Sequence, residues 1–254
     1  MEPLFASPTL AAGYARSRPA VHPRVLNRVR RHLQISERIG CAVDVGCGAG
    51  LSTRPLAEIA QTVVGIEPLE PMLGSTREVA PEGHFVVGKA EELPIRDGAA
   101  DLMTAAGSLN YADPNRFFPE ARRVLGWAGT LVVYDFSQGK KMTDSVALEE
   151  WFGEFMQRYP APPFSGRPLA PDSLEPLAQG FRPAGSELYE ETLLLDHSFY
   201  VDYAMTETNV AAAVRRGEDE CSIREWCRNS LAPVFGGVPR QVVFSGYIAY
   251  FSPL

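Results

Sequence analysis

Residues 43–53 constrain the fold more than any other stretch of the chain. They read Val-Asp-Val-Gly-Cys-Gly-Ala-Gly-Leu-Ser-Thr, so an apolar strand runs into three glycines at alternate positions. Leu51, Leu56 and Ile59 then recur at helical spacing. Because glycine tolerates positive φ and has no Cβ, backbone N–H groups in such a turn can approach a ligand closely. The succession of strand, tight turn and helix predicts a nucleotide-binding loop.

Short apolar strands alternate with helical patterns through the first half of the chain. Predicted strands cover residues 41–45, 62–66, 84–87, 100–105 and 130–136, and predicted helices cover 23–38, 52–60, 71–79 and 115–125. This rhythm predicts a parallel sheet with helices on both faces and a ligand at the carboxyl ends of the strands. We therefore expect an α/β fold, with a Rossmann-like, doubly wound, seven-stranded sheet that is mostly parallel and has an antiparallel terminal strand.

After residue 137 the rhythm breaks, which predicts a helical cap insertion. Helices are expected over 150–159, 197–215 and 219–231, strands over 187–195 and 240–251, and a proline-rich turn over 160–171. We expect one domain over 1–254. It divides into an N-terminal helical segment 1–39, a cofactor-binding core 40–137, a cap 138–235 containing strand six, and a terminal strand 236–254.

Charge and composition narrow the partners. The net charge of −7 argues against nucleic acid, because an acidic surface repels phosphate groups. The four cysteines show no zinc spacing and are interpreted as reduced thiols, so no metal is expected. No signal peptide and no run of about 20 apolar residues is evident. These observations predict a cytoplasmic monomer or homodimer with no membrane partner.

Further features indicate which nucleotide the loop binds. The dinucleotide fingerprint places its third glycine one position later than the G-x-G-x-G of residues 46–50. Glu67 ends the second predicted strand, where an acid can accept both hydroxyls of a ribose. Residues 88–94, Gly-Lys-Ala-Glu-Glu-Leu-Pro, form a turn after the third strand that can hold an adenine edge.

With these motifs in order, the chain resembles class I S-adenosylmethionine-dependent methyltransferases that act on small molecules, including the ubiquinone/menaquinone-biosynthesis and trans-aconitate types. The resemblance covers about residues 10–137. It implies S-adenosyl-L-methionine as the cofactor and a small-molecule acceptor. It also implies a set of cofactor-binding residues: Tyr14, Arg18, Asp44, Gly46, Cys47, Gly48, Gly50, Glu67, Pro68, Met72, Ala90, Glu91 and Ala106.

Within that set the resemblance implies separate roles. The glycines would wrap the methionine part, Glu67 the ribose diol, and Ala90 and Glu91 the adenine edge. Asp44 would orient the glycine loop or reach the cofactor through water. Tyr14 and Arg18 would close over the cofactor's carboxylate, which suits the bidentate guanidinium of arginine.

Methyl transfer from a sulfonium requires few catalytic groups, because the leaving group is a neutral thioether. Holding the acceptor close to the methyl group can therefore supply much of the catalysis. Asn110, Tyr111 and Tyr14 are the candidate catalytic residues. His22, His197 and Asp135 are further candidate bases, and none of these residues forms a recognisable dyad in the sequence.

Two other functions stay open at this point. One is an NAD(P)-dependent oxidoreductase on a similar sheet, and the other is a non-catalytic S-adenosylmethionine-binding protein. For the leading hypothesis the preferred acceptor group is a hydroxyl or a carboxylate, which corresponds to O-methylation.

Overall fold

A computed structural model describes residues 8–162 and 169–254. Residues 1–7 and residues 163–168 of the predicted proline-rich turn lie outside the described residues. The described residues fall into two compact units. The core unit comprises 22–136, 169–189 and 246–254, and the helical unit comprises 8–21, 137–162 and 190–245.

The described elements follow the predicted alternation. The strands are β1 (Ile39–Val45), β2 (Ala60–Glu67), β3 (His84–Val87), β4 (Leu102–Ala106), β5 (Thr130–Phe136), β6 (Lys141–Met142), β7 (Phe181–Leu195) and β8 (Arg240–Pro253). The α-helices are α1 (Pro8–Ser17), α2 (His22–His32), α3 (Thr53–Leu56), α4 (Glu70–Leu73), α5 (Thr76–Val79), α6 (Pro114–Leu125), α7 (Ala147–Arg158), α8 (Pro171–Leu174), α9 (His197–Ala204), α10 (Thr208–Arg215) and α11 (Glu220–Phe235).

The strands of the core unit confirm the predicted fold class. They run in the order β3-β2-β1-β4-β5-β8, with β8 antiparallel to β5 and the other neighbours parallel, and β7 also pairs with β8. Over the described residues the structure has eight strands rather than the predicted seven. The additional strand is β6, whose two residues pair with Val242 and Val243 of β8 in the helical unit.

The sheet forms where the chain is apolar on both faces. The last four residues of β1 and the first four of β4 are buried, as expected for central parallel strands. On one face Val43 and Met103 share a buried cluster with Phe117 and Phe118 of α6. Helix α6 begins at an N-cap, Asp113, whose carboxylate accepts the Asn115 N–H at 3.0 Å.

Several predicted helices are shorter or divided. The helix expected over 52–60 is only α3, because the turns over residues 57–59 close i→i+3 hydrogen bonds and β2 starts early, at Ala60. The helix expected over 71–79 divides at Gly74, and the one over 197–215 divides before Thr208 because Glu207 is extended. The strand expected over 187–195 starts at Phe181.

The helical unit has an aromatic core of its own. Trp151 of α7 stacks on Phe155 at 5.2 Å and on Trp226 of α11 at 5.9 Å, and it meets Tyr200 of α9 edge-on at 6.0 Å. The indole N–H of Trp151 donates to Ser230 Oγ at 2.8 Å. These side chains therefore hold α7, α9 and α11 together by burial and ring packing.

Candidate functional site

The glycine loop follows β1 and has the backbone conformation that its sequence predicts. Gly46, Gly48 and Gly50 have φ values of 69°, 54° and 90°. Residues with a Cβ seldom adopt these angles. The N–H groups of Gly46 and Cys47 both donate to the carbonyl oxygen of Ile66, at 2.7 and 3.1 Å. The loop is thereby fixed to the end of β2.

Ser108 also holds this loop, and no sequence pattern indicated a role for it. Its hydroxyl donates to the Val45 carbonyl at 2.6 Å, which joins the segment after β4 to the end of β1. A Cβ on Gly46 would overlap the Cβ of Ser108. Gly46 is therefore required both by its positive φ and by the approach of Ser108.

Asp44 lies near the end of β1, two residues before the glycine loop, and orients that strand end. Its side chain is fully buried, and it accepts hydrogen bonds from the hydroxyls of Ser52, Thr53 and Thr104 at 2.7, 2.7 and 2.9 Å. Burial raises the pKa of Asp44, although these hydroxyls act in the opposite direction. Its three donors join β1 to the segment after the loop and to β4. This arrangement supports the first of the two predicted roles, the orientation of the glycine loop.

Glu67, at the end of β2, connects the predicted ribose site to the glycine loop. Glu67 is 6% exposed. Its two carboxylate oxygens accept hydrogen bonds from the N–H groups of Gly48 and Leu69, each at 3.0 Å. Burial is the main cause that raises the pKa of this carboxyl group, and Asp44 adds to the effect. Each oxygen keeps a lone pair beyond the backbone bond, so the carboxylate can accept two hydroxyl donors.

The residues predicted near the adenine divide into two groups. Met72 is buried against the loop, with its terminal methyl 3.3 Å from the position of a Cβ on Gly48, whereas Pro68 is exposed. Ala90 and Glu91 are partly buried, and a carboxylate oxygen of Glu91 accepts the Asp113 N–H at 2.8 Å. Glu91 thus binds the start of α6 with one of its oxygens.

Asn110, in the 3₁₀ turn after β4, lies beside Asp135 near the end of β5. The Asn110 amide donates to Asp135 Oδ2 at 3.0 Å, so two candidates that the sequence could not connect form a pair. Ala106 ends β4 directly opposite Tyr134 of β5. Tyr111 lies in the same 3₁₀ turn as Asn110 and is 61% exposed.

Tyr14 and Arg18 belong to the helical unit. The Arg18 guanidinium lies 4.3 Å from the centre of the Tyr14 ring and 5.1 Å from that of Tyr203, and it forms a 3.0 Å ion pair with Glu207. Arg18 is thus already matched with a carboxylate within its own unit. The role of Tyr14 and Arg18 at the cofactor's carboxylate stays a prediction.

The remaining candidate bases have other partners. His22 Nδ1 is 2.9 Å from the Tyr134 hydroxyl in the core unit, and His197 Nε2 is 2.9 Å from the Arg228 carbonyl oxygen in the helical unit. Over residues 8–162 and 169–254, no cluster of His, Cys, Asp or Glu could hold a metal ion. The helices of the described segments include none that is long and apolar enough to cross a membrane.

Part of the chain is similar to known methyltransferases. Residues 43–133, which lie within the core unit, match the family model described as "Methyltransferase domain". An uncharacterized methyltransferase of Mycobacterium tuberculosis is 33% identical over 118 residues, 46% of this chain and 46% of that protein. A demethylmenaquinone methyltransferase of Renibacterium salmoninarum is 33% identical over 96 residues, 37% of this chain and 40% of that protein.

Solved structures show the same fold. A type II methyltransferase structure from Anaeromyxobacter dehalogenans aligns with a TM-score of 0.68 at 19% identity, covering 88% of this chain and 94% of that one. Geranyl diphosphate C-methyltransferase from Streptomyces coelicolor aligns with a TM-score of 0.50 at 15% identity, covering 90% and 74%. That structure contains S-adenosyl-L-homocysteine.

Residues 43–133 are thus similar to a methyltransferase domain, in agreement with the interpretation of the glycine loop and Glu67. The chain spans about half the length of the curated relatives that it matches, 46% for the mycobacterial protein.

Proposed function

We propose that this protein is an enzyme that transfers a methyl group from S-adenosyl-L-methionine to the oxygen of a small molecule. The observation that carries the proposal is the link between Glu67 and the glycine loop. One buried carboxylate accepts the Gly48 N–H and keeps lone pairs for a diol, and the loop beside it has three glycines with positive φ. The nucleotide and the methionine part of the cofactor would thus have adjacent binding groups within the core unit.

The residues present fit this cofactor. The Glu67 carboxyl group is buried and accepts only backbone N–H groups over the described residues, so two ribose hydroxyls are suitable further donors. Gly48 exposes its backbone where any Cβ would lie 3.3 Å from the methyl of Met72. Met72 supplies an apolar surface beside the loop, which suits an adenine ring.

The bound cofactor supplies an electrophilic methyl group and a neutral sulfur leaving group. The chain's own work is to hold the reactants and exclude water. Glu67 and the loop glycines would fix the donor, and Asp44 keeps the loop in register through its three hydroxyl partners. Asn110 and Tyr111 would line the acceptor side. The acceptor is proposed to be a hydroxyl or carboxylate compound. A small acceptor is consistent with the small substrate named for the geranyl diphosphate C-methyltransferase.

Calorimetric titration tests the proposal directly. We expect S-adenosyl-L-homocysteine to bind the full chain with a micromolar dissociation constant and NAD⁺ to show no measurable heat. Thermal unfolding with each ligand gives an independent readout, because a ligand that binds only the folded state raises the melting temperature. Protection by NAD⁺ but not by S-adenosyl-L-homocysteine would favour the oxidoreductase instead.

A methyl-transfer assay then separates the enzyme from a non-catalytic binder. The assay would follow formation of S-adenosyl-L-homocysteine from S-adenosyl-L-methionine across a panel of small hydroxyl and carboxylate compounds. Turnover with one class identifies the acceptor group. Tight cofactor binding with no turnover across the panel supports a non-catalytic protein.

A further inference from the structure

Asp135 is a carboxylate at the end of β5 that the proposed donor site does not use. Oδ2 accepts the Asn110 amide at 3.0 Å and Oδ1 accepts the N–H of Phe136 at 2.8 Å. In the described part of the chain, no Lys, Arg or His forms an ion pair with it. A partly buried carboxylate without a cation is unfavourable for stability and is found preferentially at functional sites.

The strand register places Asp135 beside the glycine loop. Val45 pairs with Ala105 across β1 and β4, and Ala106 pairs with Tyr134 across β4 and β5. The residue after Val45 opens the glycine loop, and the residue after Tyr134 is Asp135. The two therefore lie two strands apart, roughly 10 Å, at the edge where parallel sheets bind ligands. Because Glu67 marks the β2 side for the ribose, β4 and β5 remain for the acceptor.

The surroundings of the carboxylate hold it in place. Gly107, directly after β4, has φ of 64°, and a Cβ there would lie 3.0 Å from Asp135 Oδ1. Tyr189 of β7 donates to the Asp135 backbone oxygen at 3.3 Å, which fixes the strand end. Burial raises the pKa of Asp135, so its carboxylate is a better proton acceptor than a surface one.

We propose that Asp135, positioned by Asn110, faces the methyl acceptor and accepts a hydrogen bond from the acceptor atom that becomes methylated. This inference rests on the proposed function and narrows its acceptor to a hydroxyl, which carries a proton. A carboxylate acceptor is disfavoured, because two anions would meet without a cation between them. Asp135 is then a catalytic residue and Asn110 a positioning residue.

The proton balance of the step is simple. As the acceptor oxygen forms its bond to the methyl carbon, its proton moves to a carboxylate oxygen of Asp135. The electron pair of the broken carbon–sulfur bond stays on sulfur. Asp135 later returns the proton to solvent, so no further reactant is needed.

Sinefungin tests the position of Asp135 without a known acceptor, because it carries a protonated amine where the transferable methyl group lies in the cofactor. S-adenosyl-L-homocysteine has no group at that position. We expect Asp135→Asn to weaken the binding of sinefungin by about tenfold or more in calorimetric titration, since a hydrogen bond to a charged group is lost. The affinity for S-adenosyl-L-homocysteine should change less than twofold. Asp172→Asn, the same change at an exposed position, should alter neither.

A double variant that exchanges the two residues, Asn110→Asp with Asp135→Asn, controls for a folding defect in the single variant. It keeps an amide–carboxylate pair but moves the charge to the neighbouring strand end, so it should keep more of the sinefungin preference than Asp135→Asn does. Equal losses for both ligands in Asp135→Asn, or no loss for either, would overturn the inference. A methyl ester formed from a carboxylate acceptor would overturn its acceptor class. Failure of the wild-type chain to bind S-adenosyl-L-homocysteine would instead refute the proposed function itself.

Discussion

Replacing Glu67 separates cofactor binding from stability. The carboxylate can accept two ribose hydroxyls in addition to the N–H groups of Gly48 and Leu69. A hydrogen bond to a charged group contributes about 1.5–3 kcal/mol, and one between neutral groups about 1 kcal/mol. Glu67→Gln keeps one acceptor oxygen and loses the charge, which corresponds to roughly 2 kcal/mol. We therefore expect S-adenosyl-L-homocysteine to bind about 30-fold more weakly. Glu67→Ala removes both acceptors and should lose about 1000-fold.

Glu67→Gln should change stability far less than affinity. Burial raises the pKa of Glu67, so the ionised group is disfavoured in the folded protein, and a neutral amide removes that penalty. The amide also loses one acceptor for a backbone N–H, and the two effects oppose each other. The melting temperature of ligand-free Glu67→Gln should shift by only a few degrees.

Calorimetric titration and thermal unfolding together decide this prediction. Glu70→Gln is the matched control, because Glu70 lies three residues further along and is exposed. It should bind S-adenosyl-L-homocysteine like the wild-type chain. The reasoning is refuted if Glu67→Gln binds within twofold of wild type, or if Glu70→Gln loses as much affinity.

Three further substitutions test the scaffold of the site. Gly46→Ala should lower the free energy of unfolding by about 2–4 kcal/mol in urea titration, because it combines a positive φ with an overlap against Ser108. Gly153→Ala, in an open helical position, should instead stabilise by about 0.5–1 kcal/mol; similar changes for both would contradict the argument. Asp44→Ala should cost about 3 kcal/mol in urea titration, since three buried hydroxyls lose their acceptor, and a loss below 1 kcal/mol would show that they find other partners. Asp135 has a raised folded pKa, so its contribution is fully present below its unfolded pKa and is lost as pH rises through the folded value. The stability of Asp135→Asn relative to wild type should therefore increase as the pH rises above the unfolded pKa of an aspartate, about 4, in pH-dependent thermal unfolding, and a flat or falling difference would contradict the shift.

The cofactor loop could be predicted from the sequence because its constraints are local. Three glycines within five residues, an apolar run before them and an acid at the end of the next strand each leave a signal in a short window. Helix lengths were less predictable. The helix after the loop stops at Leu56 because i→i+3 turns feed directly into β2, and apolar spacing alone does not show this.

Ser108 and the Asn110–Asp135 pair could not be predicted in the same way. Ser108 contacts a carbonyl 63 positions earlier in the chain, and Asn110 meets Asp135 across 25 positions. Both contacts depend on how β1, β4 and β5 align, which no short sequence window records. A serine or asparagine after a strand is common in loops, so residue type alone did not point to Ser108 and did not pair Asn110 with Asp135.

The different coupling of these groups explains why the donor is easier to predict than the acceptor. Glu67 binds the Gly48 N–H with the carboxylate that would bind the ribose, so a change at either residue disturbs both the loop and the nucleotide site. Few residue types satisfy both demands, and the motif is correspondingly recognisable. Asn110 and Asp135 hold each other through one side-chain hydrogen bond, and neither supports the glycine loop over the described residues. Side chains there can change without altering the backbone that binds the donor. Acceptor choice can therefore vary on a constant donor site, and it must be determined from the contacts between β4 and β5 rather than from the motif.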